Sequence, residues 1–368
     1  MSYSPHLGEG IVIDFLQIIL FTAHIVCVSI GGVGPLFCLW FDWRSRTTVR
    51  LAHERQGESS AAETAWAHCL ARRQAVWSVV MLLCGAALGG VQLGLIWLAG
   101  NWDYFETWSR IATERLKYAG IEWIFSIVCM LLYLLVQRGR PRLGSFRGML
   151  AVLLPLLAAT NTLYHFPVLF AVVTVLGFEG GEPTSIKFTD YLVRQAVLVR
   201  AGHFIGAAVV ITSVEVMWLC LKARCGAVDR DATIAVAIQR VGWLALAAIV
   251  GEIVLGVGLL TVLPAAAQRS LLGGNPLATG VFGAAVVVVV VAMHYLGMIS
   301  LGNCEQRQIA RLSSFLLLAV LLMSTARHMS HAAAVPHHDR DAPVQTHEHI
   351  NRPSAADCAL RSYCWPYA

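Results

Sequence analysis

Eight stretches of this sequence are long and apolar enough to cross a bilayer, at about 12–40, 76–99, 114–136, 148–177, 199–221, 236–264, 277–301 and 309–327. A hydrocarbon core of ~30 Å needs roughly 20 apolar residues in helical form. Lipid offers no hydrogen bonds, so a spanning segment must satisfy its own backbone, and runs of this length do so as helices. Only 13% of the residues are charged, against ~25% in soluble domains, so a charged shell cannot be built. The expected fold is all-α, a polytopic membrane helix bundle. The first run lacks a basic leader and a small-residue cleavage site, and reads as a span rather than a signal peptide.

Charge between the runs sets orientation. Arg44, Arg46, Arg50, Arg55, Arg72 and Arg73 follow the first run, and Arg138, Arg140, Arg142 and Arg147 the third. Lys222, Arg224 and Arg230 follow the fifth, and Arg307 and Arg311 the seventh. The intervening connections are poorer in basic residues and carry Asp103, Glu106, Glu179 and Glu182. The positive-inside rule then predicts both termini on the non-cytoplasmic side, with the chain in the bacterial inner membrane. The net charge of +5 is thus a topological signal, and nucleic acid is not an expected partner.

Residues 1–332 read as the bundle and 333–368 as a flexible, histidine-rich tail on the non-cytoplasmic side. The tail carries His337, His338, His347 and His349 without regular metal-ligand spacing, and Cys358 and Cys364 could pair in an oxidising compartment. Residues 53–75 read as a helical extension of the second run. Residues 101–118, with Trp102, Tyr104, Phe105 and Trp108, read as an interfacial amphipathic segment. Ten cysteines with no Cys-x-x-Cys pair exclude covalent haem attachment and zinc ribbons. Gly85 and Gly89, then Gly90 and Gly94, are spaced for close helix approach, while Gly31, Gly32 and Gly34 could seat either a neighbouring helix or a flat macrocycle.

Chemistry resides in ionisable groups inside the runs, which are costly there and functional by default. His24, His165, His203 and His294 lie within spans, and His328 closes the last one. Several imidazoles in one bundle point to a bound metal centre, most economically one to three b-type haems. Helical rise puts His203 ~5 Å from the outer boundary, His328 near the surface, and His24 and His165 both ~16–18 Å deep. Axial ligands of one haem must share a level, so the expected pairs are His24 with His165 and His203 with His328. His294 is left for a further haem or for a hydrogen-bonded packing role.

Arg200 and Arg327 flank the outer pair, where a guanidinium fork suits a haem propionate. They could equally be snorkelling residues at span ends. Asn161, Tyr164 and His165 ahead of Pro167 could instead form a buried hydrogen-bond cluster at a kink. Glu122, Glu215 and Glu252 are candidates for a proton relay, or for structural pairing with a basic residue such as Arg240.

The segment Val199-Arg200-Ala201-Gly202-His203, followed by Thr212, Ser213, Leu219 and Lys222, resembles the part of cytochrome bd oxidase subunit I that supplies an axial histidine to a b-type haem. Phe15-Leu16-Gln17 through Phe21-Thr22-Ala23-His24 to Gly31-Gly32 resembles that family's first helix, which also places a haem-ligating histidine. The resemblance covers two helices and implies His203 and His24 as axial ligands. The connection from about Pro264 to Pro276 has no counterpart of the family's long quinol-binding loop.

The function these features point to is electron transfer by a membrane cytochrome b in a respiratory chain, between quinone and a periplasmic cytochrome, with other respiratory subunits as partners. Two other readings stand beside it: a transporter using the intramembrane His and Glu groups for protons or metal, and a non-catalytic subunit of a respiratory complex.

Overall fold

The structure is a computed structural model that describes residues 7–55, 59–98, 102–139, 145–179, 188–223 and 228–334. Among these, regular structure is helical throughout, and eight helical segments meet the length and hydropathy of a span: Val12–Arg46, Trp66–Leu98, Tyr118–Gly139, Phe146–Leu176, Gln195–Lys222, Asp231–Thr261, Pro276–Ser300 and Gln306–Ala334. Each coincides with one apolar run of the sequence. The tail histidines from His337 onward, Cys358 and Cys364 lie outside the described residues, as do the side chains of 99–117.

In chain order, α1 is Leu7–Arg55, α2 Ser59–Leu98 and α3 Trp102–Val136. The fourth span is α4 (Phe146–Thr160), a wide π-helical turn (Asn161–His165) and α5 (Phe166–Glu179). A short α6 (Phe188–Leu192) precedes α7 (Gln195–Lys222) and α8 (Val228–Thr261). Then α9 (Ala265–Arg269) and a second π turn lead into α10 (Pro276–Ser300) and α11 (Gln306–Ala334). Ser145 caps α4 and Asn275 caps α10, each side-chain oxygen accepting backbone N–H groups of the first turn.

Most large side chains directed out of the bundle are apolar, as lipid favours: Val254, Val287 and Leu277 are 70%, 63% and 68% exposed. Buried layers form where small residues let backbones approach. The most extensive packing joins α1 to α2. There Gly34 sits against Ser78 and Gln74 at a distance that leaves no room for a Cβ, and a Cβ at Gly85 would lie 2.8 Å from Val28 Cγ1. Gly31 and Gly32 also face neighbouring helices, at Leu82 and at Leu163 with Thr162.

Polar groups tie the helices in register. Thr212 Oγ1 on α7 shares its hydrogen between Ala208 O of its own helix at 2.8 Å and Ser29 O on α1 at 3.0 Å. Thr162 Oγ1 in the π turn likewise shares its own between Ala158 O at 2.9 Å and Gly32 O on α1 at 3.1 Å. At the Arg46 end of α1, Asp42 accepts from Tyr133 Oη at 2.8 Å and from Gln137 Nε2, pinning α1 to the end of α3. Arg44 is buried there, its guanidinium 6.0 Å from the Trp40 ring and 5.3 Å from the Trp66 ring. Replacing Asp42 by Leu leaves the Tyr133 hydroxyl and Gln137 amide without their acceptor, at a cost of ~1–3 kcal/mol. The expected outcome is a lower unfolding midpoint of the detergent-solubilised protein, and Asp42→Asn should recover part of it.

Candidate functional site

Each of three membrane-embedded histidines meets a different helix. His24 on α1 faces α2: its Nδ1 lies 2.8 Å from Gly85 O, and its ring rests on Gly89, where a Cβ would be 3.0 Å from Cε1. His203 on α7 faces α8: its Nδ1 lies 2.7 Å from Glu252 Oε2, and Gly256 lies beneath its Cε1. His165, the last residue of the π turn, reaches α3, with Nδ1 2.9 Å from Glu122 Oε1. In all three an oxygen stands on the Nδ1 side of the ring, in hydrogen-bond geometry at His24 and as a close approach of a carboxylate at His203 and His165. The carbonyl or carboxylate there favours the tautomer with the proton on Nδ1 and a lone pair on Nε2, the state in which a metal-ligating imidazole is usually held.

The carboxylates differ in setting. The Glu252 side chain is only 12% exposed, and its second oxygen is seated against Gly206, a position where no Cβ would fit. The Glu122 and His165 side chains are 33% and 45% exposed, on the outer surface of the bundle. Beside them Asn161 Nδ2 donates to Glu122 O at 2.5 Å and to Ser126 Oγ at 2.7 Å. Asn161 is thus tied to α3, but the buried cluster expected at the kink with Tyr164 and His165 does not form: Tyr164 is exposed and edge-on to His165, which is itself half-exposed.

Register fixes relative levels. From the Ser29–Thr212 contact, His24 is five residues back along α1 and His203 nine residues back along α7. At 1.5 Å per residue His203 lies ~6 Å nearer the Val12 end, the order of depth expected from the apolar runs. From the Gly32–Thr162 contact, the same arithmetic separates His24 and His165 by ~7 Å in level. The hydropathy boundaries put those two at one depth; the hydrogen bond and the extra residue of the π turn do not.

At the Val12 end, Arg200 and Arg327 lie within electrostatic reach of each other. Arg200 donates to Ala196 O at 2.8 Å and its guanidinium lies 5.8 Å from the Phe178 ring, while Arg327 lies 4.4 Å from Phe21. His328 turns Nε2 toward Asp14 at 3.5 Å, and His331 packs 5.3 Å from Phe178. His294 on α10 is exposed, edge-on to Tyr295. Glu215 is sunk beside Gln74 near the Arg46 end, with neither carboxylate oxygen in hydrogen-bond geometry.

Among the described residues no three His, Cys, Asp or Glu side chains converge on a point that could hold a bare metal ion. A haem brings its own four equatorial nitrogens and asks the protein for only one or two axial ligands.

The whole arrangement can be set beside known proteins. The bd oxidase from Geobacillus thermodenitrificans superposes with a TM-score of 0.60 over 88% of this chain and 87% of that one, at 14% identity. The chain has a bd-oxidase-like fold. No protein-family model and no curated protein sequence matches it. The likeness of fold extends over the eight spans, beyond the two helices of the sequence resemblance.

The residue missed in the sequence is Gly206, which makes the slot for Glu252; only its placement one turn after His203 hinted at it. Asn161 should matter more to stability than its exposed neighbour. Asn161→Leu breaks two buried contacts and should lower the thermal midpoint in detergent further than His165→Phe does, by an amount equivalent to ~1–2 kcal/mol.

Proposed function

We propose that this chain is an integral membrane b-type haem protein that carries electrons in a respiratory chain, with His24 and His203 as axial ligands. The observation that carries the reading is the Nδ1 anchoring of intramembrane histidines by Gly85 O and by Glu252, which favours a free lone pair on Nε2. Iron ligands are held in this way, which fixes ring orientation and raises basicity. The bound haem would supply one-electron carriage; the protein supplies the ligands and the surroundings.

Each residue has a role in that reading. Gly89 gives the His24 ring its seat, and Gly206 keeps Glu252 against His203. Arg200 and Arg327, brought together at the Val12 end, would bind propionates, with His328 beside them. His165 with Glu122 is a candidate third ligand or a structural pair, and Glu215 and Glu252 remain candidates for proton exchange. The superposed protein is an oxidase, and that likeness of fold favours respiratory electron transfer over other uses of haem. The short 264–276 connection disfavours a large quinol site there. The donor or acceptor at the Val12 end would be a periplasmic redox protein, and the membrane the bacterial inner membrane, with other respiratory subunits as neighbours in the bilayer.

A second reading has its own support. His165–Glu122 lies in a π turn just before Pro167, and broken helices at such depth occur in proton-coupled transporters.

One spectrum separates them. The purified protein should show b-type bands in a reduced-minus-oxidised difference spectrum, and a haem-free preparation with proton-coupled uptake would favour the transporter. His24→Ala and His203→Ala should each remove part of the absorbance. Gly89→Leu, which fills the seat of the His24 ring, should remove the same part as His24→Ala.

A further inference from the structure

The two halves of the bundle hold a histidine by the same device. On α2, residue 85 accepts at His24 Nδ1 and the glycine four residues on lies beneath Cε1. On α8, the carboxylate of residue 252 stands 2.7 Å from His203 Nδ1, and again the glycine four residues on lies beneath Cε1. Four residues is one helical turn, so in each case acceptor and glycine share a face and grip one edge of the ring. The devices differ in two respects: a Cβ at residue 89 would crowd the ring at 3.0 Å whereas one at residue 256 would sit at an ordinary 3.9 Å, and the acceptors are of different kinds. The first acceptor is a neutral backbone carbonyl; the second is a carboxylate.

Building on the haem assignment, we infer that Glu252 is a positioning residue that sets the His203 site at a lower reduction potential than the His24 site. A carboxylate drawing on the Nδ1 proton makes the ring more electron-rich toward a metal on Nε2. Its negative charge, in a region of low dielectric, also favours the more positive ferric state. The amide carbonyl of Gly85 does less of both. The carboxylate is held for this: one oxygen faces the imidazole and the other fills the slot left by Gly206, on the turn after His203. Reduction of either site is a one-electron change, Fe(III) to Fe(II), with the electron supplied in solution by dithionite and withdrawn by ferricyanide.

The test is a potentiometric titration of the full chain in detergent, followed by its haem absorbance, with haem content measured in parallel. The wild type should titrate in two waves at least tenfold apart in equilibrium constant, ~59 mV for one electron. Glu252→Gln should raise the lower wave by about tenfold and leave the upper wave in place at unchanged haem content, whereas Glu252→Asp should stay closer to wild type. Gly206→Ala, which expels the carboxylate without altering it, should act as Glu252→Gln does and decides the matter if Glu252→Gln loses haem. Full haem content with the lower wave unmoved in Gly206→Ala and in any haem-replete Glu252→Gln overturns the inference and leaves the haem assignment standing. A wild type without haem overturns both.

Discussion

A polar side chain at membrane depth has no water to fall back on, and this bundle is organised by where such groups find partners. The common solution is local. Thr22, Ser78, Thr174, Ser213, Ser300 and Ser324 each return their hydroxyl hydrogen to a carbonyl one turn earlier on their own helix. The longer-range solutions are fewer and decide the architecture. Thr212 with Ser29, Thr162 with Gly32, and Asp42 with Tyr133 and Gln137 each set the height of one helix against another. Dispersion between apolar side chains cannot do this, because lipid tails compete equally for the same surfaces.

The histidines belong to the same economy. An imidazole has two nitrogens to place, and the helix beside His24 bonds one of them while the helix beside His203 sets a carboxylate 2.7 Å from one. The proposed haem ligation rests on the second nitrogen. Fold likeness at 14% identity is unsurprising in such a molecule. Apolar residues on lipid-facing surfaces exchange freely, so identity can fall far while the arrangement of spans is kept.

Much of this was legible beforehand. Run length and apolar content marked the eight spans, since a soluble fold has little use for eight runs of roughly twenty mostly apolar residues. The apolar runs also put His24 and His203 inside their spans, in the right order of depth. They could not name the partners. Gly85 lies 61 residues from His24 in the chain, and nothing local marks its carbonyl as an acceptor. Gly89 read as a helix contact because a glycine that seats a ring and one that seats a backbone look alike in sequence. The common depth assigned to His24 and His165 came from hydropathy edges, which are blunt. The hydroxyl–carbonyl contacts that set level are invisible until helices are paired.

The π turn at Asn161–His165 bears on how the fourth span is built. One additional residue in a helical turn advances the angular phase of everything after it by about 100°. α4 accordingly presents its buried side to α3 and α1, whereas α5 presents its own to α7. The span behaves as two cylinders on a common axis, each keyed to different neighbours and rotated at the joint. Deleting a single residue there would be more disruptive than most substitutions: it would spin Val168, Val172 and Val175 away from α7 while leaving the composition of the span almost untouched.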